Sequence, residues 1–348
     1  MNISTEEFGK VDGQAIEKYT LSNNNGASAS MITYGGRVTE LHVPDQNGKA
    51  ANIVLGFDNL RQYQEKNPYF GALIGRFGNR IAHGTFEIDG QQYKVVTNEG
   101  DKTLHGGKIG YDRRIWKATP MRAAADHVGL QLDYISPDGE EGFPGTLTCR
   151  VVYSMNERNE LRIDYTATTD KPTPINLTNH SYFNLRGAGN GDILGHEMQL
   201  FASHYTPVDD TLIPTGTIAP VQATPMDFRR AQPIGSRIAQ VKGGYDHNYV
   251  LDDPKGEAMG QAARVVDRES GRTMEVHTTQ PGIQFYTGNF LNGSIKGLGG
   301  TYGKHAGFCL ETQHFPDSVH HSNFPSVILR PGEKYQQTTV YAFGVLKT

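Results

Sequence analysis

The chain has 348 residues, of which 36% are apolar and 20% charged, a balance that excludes disorder and leaves ample length for a sizeable core. Its net charge is −4 and it carries no basic block, which argues against a nucleic-acid partner. Glycine is abundant at 41 residues, beside 17 Pro and 17 Tyr, a composition of many turns and aromatic strands rather than of a helical bundle.

In chain order, Met1-Asn-Ile-Ser-Thr-Glu-Glu has no basic or apolar leader, so the expected compartment is the cytoplasm. No stretch approaches the length of a membrane span. Asp58 to Lys66 predicts a short helix with Asp58 as its cap. Phe86 and Ile88 lead into Asp89-Gly90, a tight-turn pair, and Tyr93 and Val95 leave it. Trp116, the one tryptophan, is assigned to core packing. Leu130, Leu132 and Tyr134 alternate with polar residues. So do Leu147, Cys149, Val151 and Tyr153, with Val152 an apolar exception. After a turn at Asn156 to Asn159, Leu161, Ile163 and Tyr165 alternate again, which predicts an antiparallel hairpin. Arg186 to Gly191 is a Gly-rich loop. Ile234 to Val241, opened by Pro233, predicts a second short helix. Met274 and Val276 resume the two-residue period. The pattern predicts one all-β domain, residues 1–348, of many antiparallel strands in two or more stacked sheets.

The motifs that announce a cofactor are absent. There is no phosphate loop, no dinucleotide fingerprint, no His-Glu-x-x-His and no Cys-x-x-Cys, so neither cofactor nor metal is expected. His320 and His321 are adjacent, and strand neighbours point to opposite faces, which makes a poor chelate. Cys149 and Cys309 are expected as reduced, buried thiols.

Two segments carry the chemistry. In Asn176-Leu-Thr-Asn-His-Ser-Tyr-Phe-Asn-Leu185, His180 sits among polar and aromatic neighbours and suits proton exchange near neutral pH. A structural, hydrogen-bonded histidine is the bland alternative. In Phe308-Cys-Leu-Glu-Thr-Gln313, a strand would put Cys309, Glu311 and Gln313 on one face. Glu311 is then either a solvated carboxylate or, in a cleft, a proton acceptor. His105 lies in a loop before Gly106-Gly107, where capping local backbone is its simpler role. Asn79 and Arg80 sit at a turn after Arg76. Asp246 follows Gly243-Gly244, where a turn role competes with holding vicinal hydroxyls. Gln284 and Tyr286 share a strand face.

Taken in order, Gly-Asn-Arg, Leu-His-Gly-Gly, Asn-His-Ser-Tyr-Phe-Asn-Leu, Asp-His-Asn, Gln-Phe-Tyr-Thr-Gly-Asn and Leu-Glu-Thr-Gln make a specific set. Through them nearly the whole chain resembles the aldose 1-epimerases, also called galactose mutarotases. The resemblance implies a large β-sandwich, sometimes called a supersandwich, that interconverts the anomers of free hexoses without a cofactor, as a monomer or homodimer. It implies that His180 protonates the ring oxygen and that Glu311 takes the proton of the C1 hydroxyl. His105 would hydrogen-bond near the ring oxygen. Asn79, Arg80, His180, Ser181, Tyr182, Asp246 and Gln284 would hold the sugar. Three rival readings stand beside it. A hexose-6-phosphate 1-epimerase would need cations, for which Arg76 and Arg80 are the candidates. A sugar-binding module would have lost catalysis. A glycoside hydrolase would pair Asp246 with Glu311 and leave His180 unexplained.

Overall fold

The computed structural model describes residues 1–65, 67–122, 126–252 and 259–346. Strands dominate, and every named strand pairing is antiparallel. A nine-stranded sheet runs in the order Lys117–Arg122, His127–Ser136, Leu147–Asn156, Glu160–Thr169, Tyr335–Val345, Arg272–Thr278, Gly260–Val266, Glu197–Leu200, Gln232–Pro233. One five-stranded sheet is a meander from Asn2–Val11 to Ala50–Asn52. A second has the order Ala219–Pro220, His204–Tyr205, Asp246–Val250, Gly282–Tyr286, Cys309–Gln313.

The alternation read from the sequence is the alternation of the sheet. Leu147 pairs with Thr169 and Met155 with Leu161 in the expected hairpin. Leu147, Cys149, Val151 and Tyr153 are buried, while the exception Val152 is half-buried on the opposite face. Asp89 and Gly90 take φ of 52° and 82°, the left-handed pair that a tight hairpin turn requires. One apolar cluster joins the three large sheets: Leu41 and Met31 from the first five strands, Leu132, Val151 and Tyr341 from the nine, and Ile283, Phe285 and Leu310 from the last five. Facing sheets that bury one side each against a shared core make a β-sandwich. Trp116 is buried in that core, and its indole N–H donates to the Tyr111 carbonyl at 3.3 Å.

The helical expectations need correction. The first helix is Leu60–Gln64, and its cap is Asn59, whose side chain accepts from the Gln62 N–H. Asp58 instead accepts from the Asn59 side chain; it stands one residue too early to reach the first turn. Lys66, the last residue of that expectation, lies outside the described residues. The second helix is two 3₁₀ turns, Ile234–Ser236 and Ile238–Gln240, separated by Arg237 at φ −134°. Pro233 stands at the N-cap of the first turn, as expected, and also pairs with Glu197 at the sheet edge. Among the described residues, no helix is long and apolar enough to cross a membrane. Cys149 and Cys309 are both buried and unbridged.

Candidate active site

Backbone register brings the two chemical segments together. Phe183 and Phe308 exchange a pair of backbone hydrogen bonds, 2.7 and 3.0 Å, in an antiparallel bridge. Three residues back along one segment and three forward along the other, His180 and Glu311 therefore face each other. Nε2 of His180 lies 3.7 Å from Oε1 of Glu311. Asn176 fastens the far end: its amide donates to the carbonyls of His314 and Gly78, and its oxygen accepts from the His314 N–H.

Every residue of Cys309–Gln313 is buried, so the solvated reading of Glu311 does not hold. The strand is covered on both sides, by core on the Leu310 face and by a cleft on the Glu311 face. Pro68, Tyr69, Asn79, Arg80, Glu99, Leu104, His105, His180, Tyr182, Asp246, Tyr286, Phe290 and Glu311 line that cleft. Burial penalises charge on both partners. It pushes His180 down to about 3. It pushes Glu311 well above the usual carboxylate range, with the nearby Asp246 charge adding to the effect. Oε2 of Glu311 is buried without a hydrogen-bond partner, and a carboxylate oxygen left so is ready for a donor from a ligand.

His105 is held by Asn79 through both of their backbones. The His105 N–H donates to the Asn79 carbonyl at 3.0 Å, and the Asn79 N–H donates to His105 Nδ1 at 3.1 Å. Both residues are left-handed, at φ 53° and 61°, which costs about 1–2 kcal/mol for a residue such as His. Gly106 follows at φ 89°, where a Cβ would stand 2.0 Å from the Gly75 carbonyl oxygen. Because Nδ1 accepts, the neutral ring carries its proton on Nε2. His105, His180 and Glu311 offer ligand atoms within 4.8 Å of one another, the one such group of metal-ligating type among the described residues. The tautomer of His105 suits donation to an oxygen better than ligation, since its Nε2 lone pair is taken by the proton.

The hydroxyl-holding candidates divide. Asn79, Arg80, Tyr182 and Asp246 reach the cleft. Arg80 is clamped by Glu99 in two bonds of 2.7 and 2.9 Å. Gln284 stands behind Asp246 and donates to its Oδ1 at 2.7 Å, while Gln313 donates to the Gln284 oxygen at 3.3 Å. Gln284 thus orients a carboxylate rather than facing the cleft. Ser181 also faces away: its hydroxyl and N–H both donate to the Asn179 side chain. Arg76 is a buried strut, bonded to the Pro144 and Gly145 carbonyls and to Ser136 and Thr173. His320 and His321 both approach the buried Asp317 from outside the cleft, at 2.7 and 3.4 Å.

Several cleft residues carried no signal in sequence. Tyr69 packs edge-on to His105 at 4.7 Å, whereas Tyr182, expected at the sugar from the resemblance, stacks on His180 at 5.1 Å. Phe290 is 70% exposed at the rim, stacked on Tyr286 with its N–H donating to the Tyr286 hydroxyl oxygen. Glu99 enters from the loop before His105. The gain in the other direction is that the polar density around His180 is explained: Asn176, Asn179, Ser181 and Asn184 all satisfy buried backbone or one another, leaving His180 and Tyr182 to the cleft.

A family model described as "Aldose 1-epimerase" matches residues 17–342. A galactose mutarotase of Sus scrofa is 46% identical over 349 residues, covering 99% of this chain and 99% of that protein. An aldose 1-epimerase of Escherichia coli K12 is 36% identical over 340 residues, covering 95% and 96%. Among solved structures, an aldose epimerase homologue from C. elegans superposes with a TM-score of 0.86 at 31% identity, covering 94% and 98%. A galactose 1-epimerase from Lactobacillus acidophilus gives 0.87 at 25% identity, covering 99% of each chain.

Proposed function

The chain belongs to the aldose 1-epimerase family and is an isomerase, and from that premise we propose that its cleft interconverts the α and β anomers of free hexoses such as galactose and glucose. The observation that carries the reading is the His180–Glu311 pair, face to face in a buried cleft with one carboxylate oxygen unpartnered. The cleft has a free volume of about 130 Å³.

The pair works as a proton-holding unit. In the empty cleft burial favours neutral forms of both groups, so their shared proton rests on Glu311. A bound sugar supplies donors to the Glu311 oxygens and shifts that proton toward His180. Glu311 then takes the C1-hydroxyl proton while His180 Nε2 gives its proton to the ring oxygen. The C1–O5 bond breaks and C1 becomes a carbonyl. Rotation about C1–C2 exposes the other face, and the same two transfers run in reverse on closure. His105 Nε2–H donates near the ring oxygen. Arg80, Asn79 and Asp246 hold hydroxyls, with Glu99 and Gln284 orienting two of them. We also read residues 1–348 as one domain, which the apolar cluster shared by the three large sheets supports.

The rival readings find less support. Arg80 is the one Lys or Arg among the cleft-lining residues, already neutralised by Glu99, and the Asp246 carboxylate opposes a phosphate. Arg76 is occupied in the interior. A hydrolase pairing Asp246 with Glu311 leaves both histidines without work. Polarimetry of fresh α-D-galactose tests the proposal: the protein should bring rotation to equilibrium many-fold faster than buffer. Sugar binding by calorimetry with no acceleration would instead favour a non-catalytic module.

A further inference from the structure

We propose that Cys309 is the positioning residue of His180, its sulfur accepting the Nδ1 proton of the imidazole so that proton exchange with a sugar is confined to Nε2. The inference rests on the reading of His180 given above. Sγ of Cys309 lies 3.5 Å from Nδ1, and both side chains are buried. Among the described residues, that thiol is the one side chain within hydrogen-bond distance of Nδ1, beside a contact of the ring with the backbone of His180 itself. Cys309 and Glu311 alternate on one strand, so a single rigid element meets Nδ1 with the thiol and Nε2 with the carboxylate.

Sulfur is a weak acceptor. A carboxylate behind Nδ1 would hold an imidazolium more tightly and make it a poorer acid. A thiol fixes the ring's tautomer and orientation without retaining the proton that has to be passed on. Burial, and then the Glu311 and Asp246 charges, push the Cys309 thiol well above its ordinary pKa, so it stays S–H rather than becoming an anion. The groups that face the imidazole are Tyr69, His105, Tyr182, Tyr286, Cys309 and Glu311. The charges of Arg37, Arg80 and Asp246 stand further off. Of these, Cys309 is the side chain placed at Nδ1, while Glu311 meets Nε2.

The test compares Cys309→Ala and Cys309→Ser with the wild type, each checked by thermal unfolding. Ala should lower kcat about 10-fold, a fraction of what acid–base catalysis supplies, with KM within about twofold. Ser, a stronger acceptor, should restore kcat and move the alkaline limb of the kcat–pH profile upward. Nitrogen NMR of the ligand-free wild type should find His180 as the Nδ1–H tautomer, and this readout decides alone if the variants do not fold. A wild-type Nε2–H tautomer, or an Ala variant with unchanged kcat and pH profile, overturns the inference. His180→Asn separates the two levels: if that variant keeps its activity, the reading of His180 itself fails. If it is inactive while Cys309→Ala is normal, only the role of Cys309 fails.

Discussion

His180 and Glu311 face one another at 3.7 Å because Phe183 and Phe308 set the register of the two segments that carry them. Asn176 is the second fastening. Replacing it with Ala strands the buried Gly78 carbonyl and the half-buried N–H and carbonyl of His314. Leaving such groups unpaired costs about 1–3 kcal/mol each before relaxation. Urea unfolding of Asn176→Ala should therefore show a loss of about 2–4 kcal/mol, with kcat reduced as well. A variant of unchanged stability would mean that the two segments are held together elsewhere.

The charge around the cleft predicts its selectivity. Glu99 neutralises Arg80, and the Asp246 carboxylate lines the wall with no further Lys or Arg among the lining residues. Free galactose should exceed galactose 6-phosphate in kcat/KM by about 100-fold or more, the scale expected when a dianion meets an unpaired carboxylate surface. Equal rates on the two sugars would contradict this account of the cleft.

On the proposed reading, Gln284 acts on substrate through Asp246. Gln284→Ala removes the amide that donates to Asp246 Oδ1 at 2.7 Å and frees the carboxylate to rotate. KM should rise several-fold, about 3- to 10-fold for one charge-assisted hydrogen bond loosened, with kcat little changed. A fall in kcat at constant KM would place Gln284 in the chemistry instead.

Two histidines away from the cleft set an acid limit to stability. Burial pushes His196 and His314 down to about 4. An unfolded chain protonates its histidines near 6.5. Stability is therefore complete above about 6.5 and falls as the unfolded state takes up protons that the native state refuses, down to about 4. Each site contributes at most roughly 3 kcal/mol. Unfolding free energy measured from pH 7 to pH 4.5 should decline more steeply in the wild type than in His314→Gln. Parallel curves would show that His314 is not held neutral.

Much of the architecture was legible because antiparallel sheets with one buried face write a two-residue period into the chain. Leu147 to Tyr165 and the Asp89-Gly90 turn are cases in which local pattern and tertiary structure agree. Asp58 was misread because a cap position depends on one residue of phase, which composition does not supply, and the segment after Pro233 is broken at Arg237 into two 3₁₀ turns. At the site, the motifs marked His180 and Glu311 but could not say which of their neighbours face a ligand. Ser181 and Gln284 look like their partners in sequence, yet bond away from the cleft. Tyr69, Glu99 and Phe290 reach it from loops that have no period to read. The Cys309–His180 contact was hidden for the same reason that the His180–Glu311 contact was: it depends on register between distant segments.

The central claim is that His180 and Glu311 exchange the two protons of ring opening. Polarimetry of freshly dissolved α-D-galactose with folded His180→Asn and Glu311→Gln tests it most directly. Each variant should lose about 100-fold or more in kcat, the scale of one acid–base group, while retaining the wild-type unfolding transition. Near-wild-type mutarotation in either variant would contradict the account.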